Sequence, residues 1–278
     1  MGRGNGSRFF SINFLLNNLT ILDQRSIELR KVIVNTMIAG DRGHLAPALS
    51  LVEIIRVLYD DILKYDSNDP KWGERDRFIL SKGHAAPSLY AVLQDLKIID
   101  RNLFLSDKTY WHPEKSIKGV DFQTGALGHG LSIGVGIAKY YKINRINKWV
   151  VVMIGDGELN EGSIWESFLI SKNWRLGNLI IIIDKNKFQA NDTTEKVLSL
   201  GNLEKKIMSF DLNLIELNGH NYRDMNKKFS NLKKNNIPKV IIANTKRNFG
   251  IPLIQNKKKF WYVDKSEKKL EQFRINLQ

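Results

Sequence analysis

Cysteine is absent from the 278 residues, which excludes disulfides, thiolate metal sites and cysteine nucleophiles together. That absence fits a reducing compartment. No apolar run reaches the roughly 18 residues a membrane-crossing helix needs, so a cytoplasmic protein without a membrane partner is expected. Acidic residues are scarce, 29 against 43 lysines and arginines, and leave a formal charge of +14. A surplus of that size invites a polyanion reading. The lysines, however, are scattered beside Asn and Ile, as in Lys142-Ile143-Asn144 and Lys233-Lys234-Asn235-Asn236. We read them as a solvated surface with some attraction for phosphorylated substrates, and no nucleic-acid partner is expected. Internal repeats and long Gly/Ser/Pro linkers are lacking too.

Residues 1–20 are expected to be a flexible N-terminal extension ahead of a single domain over 21–278. Arg3 and Arg8 occur there without acidic company until Asp23, and Ser11 and Asn13 interrupt the only apolar patch. No small-x-small cleavage site follows, which argues against a secretory signal. Gly6 stands where a myristoylation signal wants Ser or Thr. An organellar transit peptide is the alternative.

What is present is periodic. Residues 27–37 and 48–63 carry apolar side chains at helical spacing and predict two helices flanking 39–47. Helices are also expected over 87–96, where Pro87 suits a first turn, and over 131–141, where Gly134 and Gly136 would let the backbone approach a neighbour. The second half changes period. Residues 150–154, 179–183 and 240–243 are continuous, β-branched runs suited to strands covered on both faces. Between the first two, residues 163–174 read as a crossover helix with Ile164, Trp165, Phe168 and Leu169 on its buried side. The fold class is therefore α/β, a mostly parallel central sheet with helices on both faces. Ligands of such sheets bind beyond the carboxyl ends of the strands.

Two motifs lie there. Gly155-Asp156-Gly157 follows the first strand, and Asp184-Lys185-Asn186-Lys187-Phe188 follows the second. Adjacent parallel strands end at one edge, so Asp156 and Asn186 can face one point across 30 positions. A carboxylate and an amide oxygen are hard ligands; with a carbonyl, water and phosphate oxygens they complete the octahedron Mg²⁺ prefers. Gly-Asp-Gly alone is a common tight turn; strand, Gly-Asp-Gly, helix, strand and then Asn is far more specific. Rival phosphate motifs fit badly: Ser163 stands where a P-loop needs Lys, and Gly125, Gly128 and Gly130 run in the wrong order for a dinucleotide fingerprint.

At this point the chain resembles the N-terminal half of transketolase. The stretch from Gly155 to Glu166 is similar to that family's cofactor motif nearly residue for residue. Further blocks match in order: Gly43-His44 with Leu49-Ser50, Arg75 to His84, His112-Pro113-Glu114, Gly119-Val120 with Thr124 to Leu131, and Asn218-Gly219-His220. The resemblance covers about residues 27–260. It implies the thiamine-diphosphate-binding fold, specifically the module that grips the diphosphate, with thiamine diphosphate and Mg²⁺ as cofactors. Asp156, Asn186 and the Phe188 carbonyl would hold the metal. Gly157 and His84 would contact the diphosphate, with His220 close to it and to substrate. Gly125 and Leu127 would approach the aminopyrimidine. Glu161, counted with the cofactor-binding residues, would sit with Glu166 at a subunit interface. His44, His84, His112 and His220 would form the catalytic set, proton shuttles among sugar hydroxyls. All five histidines fall inside matched blocks; His129 is read as supporting its loop.

The resemblance also implies a partner. The family's cofactor-activating glutamate, and most arginines that grip the sugar phosphate, belong to a second module. We therefore expect a separate C-terminal partner chain, in a two-plus-two heterotetramer, and transfer of a two-carbon ketol unit between sugar phosphates only when both chains are present. Two segments depart from the family: Thr245 to Gly250 replaces a Lys-Gly-Lys-Gly-type stretch, and Gly43-His44-Leu45-Ala46 replaces Gly-His-Pro-Gly. Both touch the mouth of the site and put the usual pentose phosphate in doubt. A non-catalytic regulatory or scaffold relative and a deoxyxylulose-phosphate-synthase-like subunit are the alternatives.

Overall fold

The structure is a computed structural model and describes residues 22–40, 42–100, 111–190, 192–255 and 263–264. The extension expected over 1–20 lies outside the described residues. Nine helices are described: α1 (Gln24–Ala39), α2 (Leu45–Leu49), α3 (Val52–Val57), α4 (Ala86–Asp95), α5 (His129–Ile143), α6 (Gly162–Asn173), α7 (Thr194–Leu198), α8 (Leu203–Met208) and α9 (Tyr222–Ser230). The strands are β1 (Arg42–Gly43), β2 (Arg77–Leu80), β3 (Val150–Gly155), β4 (Leu179–Lys185), β5 (Phe188–Gln189), β6 (Asp192–Thr193), β7 (Asn213–Asn218), β8 (Lys239–Asn244) and β9 (Val263–Asp264). Five of them build one parallel sheet in the order β2-β3-β4-β8-β7. The short pairs β1–β9 and β5–β6 are antiparallel.

Side chains on a strand alternate between faces, and here the alternation sorts the core into two layers. Val151, Met153, Ile180, Ile182 and Ile241 join α1, α3, α4 and α9 in one apolar cluster. Val150, Val152, Ile154, Ile181, Ile183, Val240 and Ile242 join α5, α6 and α8 in the other. Both faces of β3 and β4 are thus covered, which is why those runs carry no polar residue until their tips. Among the described residues no helix is long and apolar enough to cross a membrane.

The helices expected around residues 27–37, 87–96 and 131–141 are α1, α4 and α5, with Pro87 in the first turn of α4. Three expectations need correction. Helix resumes already at Leu45, and the stretch expected as one helix from residue 48 is broken into α2, α3 and a π-turn at Leu58–Ile62. Leu169 is 58% exposed; α6 instead buries Ile164, Ser167, Phe168 and Ser171. Strands β2 and β7 fell outside the expected set: β2 has only four residues, and β7 is an edge strand buried continuously at no point.

Gly134 and Gly136 also differ. A Cβ at Gly134 would lie inside the van der Waals radius of the Val152 methyl, whereas one at Gly136 meets nothing within 4 Å. Opposite signs follow. Gly134→Ala should destabilise by about 1–3 kcal/mol through overpacking of α5 on β3. Gly136→Ala, in an exposed helix interior, should stabilise by roughly 0.5–1 kcal/mol. Urea unfolding of the two variants checks both.

Candidate functional site

The carboxyl ends of β2, β3, β4 and β8 converge on one charged group. Asp184, at the tip of β4, is wholly buried. Its carboxylate accepts from Ser50 Oγ at 2.8 Å and Asn186 Nδ2 at 2.9 Å, and closely from Lys82 Nζ and Thr245 Oγ1. A carboxylate without solvent is costly unless paired and hydrogen-bonded. Burial alone would raise the acid's pKa, but the Lys82 charge and these hydrogen bonds hold it below the ordinary value.

This cluster fixes the neighbouring site. Because Asp184 takes the Asn186 amide N–H, the amide oxygen is turned away from it and accepts from Phe188 N at 2.9 Å. Across the β3–β4 register, Gly155 lies opposite Asp184, and Asp156 N donates to the Asp184 carbonyl at 3.1 Å. The Asp156 carboxylate then accepts from Gly157 N at 2.9 Å and Lys187 N at 2.6 Å. Asp156 and Asn186 therefore face the same cavity of about 280 Å³, which Gly157, Phe188, His84 and Leu127 also line. Burial, and after it the charge of Asp184, push the Asp156 acid up to about 7. Lys82 and Arg247, 1% and 3% exposed, line the same cavity.

The donor set suits a divalent cation: one buried carboxyl group with no cationic partner at contact distance among the described residues, one fixed amide oxygen, and the turn carrying the Phe188 carbonyl. The two buried side-chain cations that line the same cavity suit a polyanion. Among the described residues no group of three or more His, Cys, Asp or Glu gathers as a metal site.

Three histidines stand together beside this cavity. The His44 ring lies 5.5 Å from that of His84 and 6.4 Å from that of His112, edge-on in both cases. Gly125 lies against the His112 ring. Burial, then the charge on His112, lowers His44 to about 4; burial, with Lys82 and the neighbouring imidazoles, lowers His84 well below its ordinary range; burial lowers His112. All three rings are neutral near pH 7.

The remaining expectations are placed elsewhere. His220 does not line this cavity. It borders an adjoining recess that shares Asn186 and Phe188 with it, and the ring is 4% exposed with both nitrogens engaged. Glu161 is exposed, directly preceding α6 and outside the cavity; Glu166 and His129 are exposed as well. Sequence reasoning passed over Lys82, Asp184 and Arg247, although each lies in or beside a quoted motif. It passed over Glu158 too, which is 2% exposed and accepts from Ser81 Oγ and from Gly128 N at 2.8 Å. A buried acid two residues beyond Asp156 was the available signal.

Comparison with known proteins agrees with this geometry. Residues 22–277 match the family described as the transketolase thiamine diphosphate binding domain. The chain belongs to that family. Transketolase relatives divide by length. An apulose-4-phosphate transketolase subunit from Phocaeicola vulgatus is 33% identical over 240 residues, covering 84% of this chain and 85% of that protein. Its counterpart from Actinobacillus succinogenes is 36% identical, covering 82% and 85%. Human transketolase is 33% identical, covering 86% of this chain but 39% of its own length. Among solved structures, the transketolase of Leishmania mexicana superposes with a TM-score of 0.79 at 26% identity, covering 91% of this chain. The chain spans about two-fifths of that transketolase, 41% of its length.

Two outcomes test the electrostatics. Lys82→Met should cost about 3–5 kcal/mol, because it strands the buried Asp184 charge; denaturant unfolding at pH 7 measures it. His44 takes up its proton near 6.5 when unfolded and near 4 when folded. The unfolded state binds more protons in that window, so the stability tied to His44 is present above about 6.5 and is lost as pH falls towards 4. An NMR titration should show its imidazole midpoint near 4, and a midpoint at 6.5 would refute the neutral cluster.

Proposed function

We propose that this chain binds thiamine diphosphate and Mg²⁺ in the cavity at the strand tips and forms one half of a two-chain transketolase. The observation that carries the reading is that Asp156 and Asn186 line one cavity together with Lys82 and Arg247. The first pair, with the Phe188 carbonyl, suits the metal; the second suits the diphosphate. When bound, the cofactor supplies the carbanion chemistry that lets a two-carbon ketol unit leave one sugar and join another.

The chain's own residues have three tasks. Asp156, Asn186 and Gly157 anchor and orient the diphosphate end, while Leu127 and Gly125 border the side where the ring system would lie. His44, His84 and His112, neutral at working pH, each carry one donor and one acceptor nitrogen. They are suited to hold a sugar hydroxyl and take or return its proton. Ala46 and Pro47 cover the cavity from α2 and help exclude water.

The partner is a proposal of the same reading. Three relatives matched over most of their length are named as subunits, among them a 6-deoxy-6-sulfo-D-fructose transketolase subunit from a Clostridium species, 32% identical and covered over 81% of its length. Those names support a separate partner chain; we take it to bear the pyrimidine-binding module, in a two-plus-two cytoplasmic assembly. Phosphorylated ketoses and aldoses are the substrate class we favour, given the surplus of basic residues.

Asp156→Ala should weaken binding of thiamine diphosphate in the presence of Mg²⁺ about a hundredfold or more, roughly 3 kcal/mol, since the cation loses its carboxylate. Calorimetric titration measures this, and undiminished affinity would remove the metal assignment. Given cofactor, Mg²⁺ and sugar phosphates, the purified chain should transfer no ketol until the partner chain is added.

A further inference from the structure

His220 sits in a buried strut beside the recess that adjoins the cavity. Its Nε2 accepts from the backbone N–H of Lys246 at 2.8 Å. A backbone amide only donates, so the ring proton is on Nδ1, which faces Glu53 Oε2 at 2.9 Å. Glu53 is in turn held by both terminal nitrogens of Arg30, at 2.6 and 2.9 Å. Arg30 closes the loop: its Nε donates to the Phe249 carbonyl at 2.9 Å. The Phe249 ring stacks on His220 with centroids 3.6 Å apart. Gly250 completes the fit, because φ is +89° and a Cβ there would collide with the Arg30 side chain.

Residues 246 and 249 are therefore fixed from one side, while Thr245 is fixed from the other by Asp184. Arg247 lies between these anchors. Its guanidinium reaches back over the Phe188 ring, 4.8 Å from the centroid, and donates to the Ala190 carbonyl at 3.1 Å. A long side chain loses up to about 2 kcal/mol of rotamer freedom when fixed, so a backbone already immobilised on both flanks gives an anion a preformed partner.

We propose that His220 is a positioning residue: through Glu53, Arg30 and Phe249 it locks the segment 245–250 and so holds Arg247 at the diphosphate-facing wall of the cavity. The inference rests on the reading that this cavity takes a diphosphate, and it gives a purpose to the segment that departs from the family pattern.

The test is a double-mutant cycle on the full chain, with magnesium pyrophosphate and then thiamine diphosphate with Mg²⁺ as probes in calorimetry. His220→Phe keeps a ring for stacking and removes both hydrogen bonds. It should weaken pyrophosphate binding about tenfold, yet add nothing further in an Arg247→Gln background. His220→Gln, which restores one donor and one acceptor, should recover most of the loss. Hydrogen exchange of the 245–250 peptide should quicken in His220→Phe while β3 and β4 stay protected. A merely structural histidine would lower stability without coupling to Arg247. Should His220→Phe not fold, Phe249→Leu, which removes the stacked partner, carries the same cycle. Unchanged affinity in His220→Phe, or equal losses in both backgrounds, overturns the strut and leaves the cofactor reading standing. A wild-type chain that binds neither probe removes both.

Discussion

The site depends on one buried negative charge that cannot reach water. The Asp184 carboxylate, at the tip of β4, ties together α2, the tips of β2 and β8 and the turn at Asn186, and each tie is a hydrogen bond the carboxylate requires to remain ionised. Because Lys82 neutralises it, the cluster is stable; because Asn186 is one of its donors, the neighbouring turn has a single amide orientation. The placement of Asp156 and Asn186 is thus inherited from the buried Asp184 cluster beside them. The same cluster holds Thr245, and so begins the segment that carries Arg247.

The distribution of polar groups follows from that centre. Beneath the strand tips, both faces of β3 and β4 are apolar and the two clusters are dry. Above them, buried ionisable groups lie close together beside the half-buried His84: Asp156, Glu158, Asp184, Lys82 and Arg247. Desolvated ionisable groups gathered in one cleft mark functional sites more often than structural ones. The family membership of the chain accords with this concentration.

Much of the frame was legible in the residues. Continuous β-branched runs marked β3, β4 and β8, since only strands covered on both faces can do without polar alternation. The motifs after β3 and β4 marked the site because parallel strands end at a common edge. Pairings with no local pattern were not legible. Lys82 and Asp184 are 102 positions apart and their contact is a property of the sheet order alone. His220 belonged to a matched block, yet its two hydrogen bonds, to Glu53 and to the Lys246 backbone, aim it into packing between α3 and the 245–250 segment. Gly134 and Gly136 look alike in sequence; only the position of Val152 separates them. The exposure of Leu169 has the same origin, in which neighbours α6 happens to meet.

The strict alternation of β3 and β4 between two cores reaches further than packing. In a strand, adding or deleting one residue exchanges every side chain between faces. Here it would also advance or withdraw the carboxylate at the tip of β3 relative to the amide after β4, since the register pairs Gly155 with Asp184. Packing errors and loss of ligand geometry therefore come from the same indel. Length variation within residues 150–155 or 179–186 is doubly penalised, and the turn between α6 and β4 offers no relief, since it buries Leu176 in the core and packs Gly177 against the Asn235 backbone.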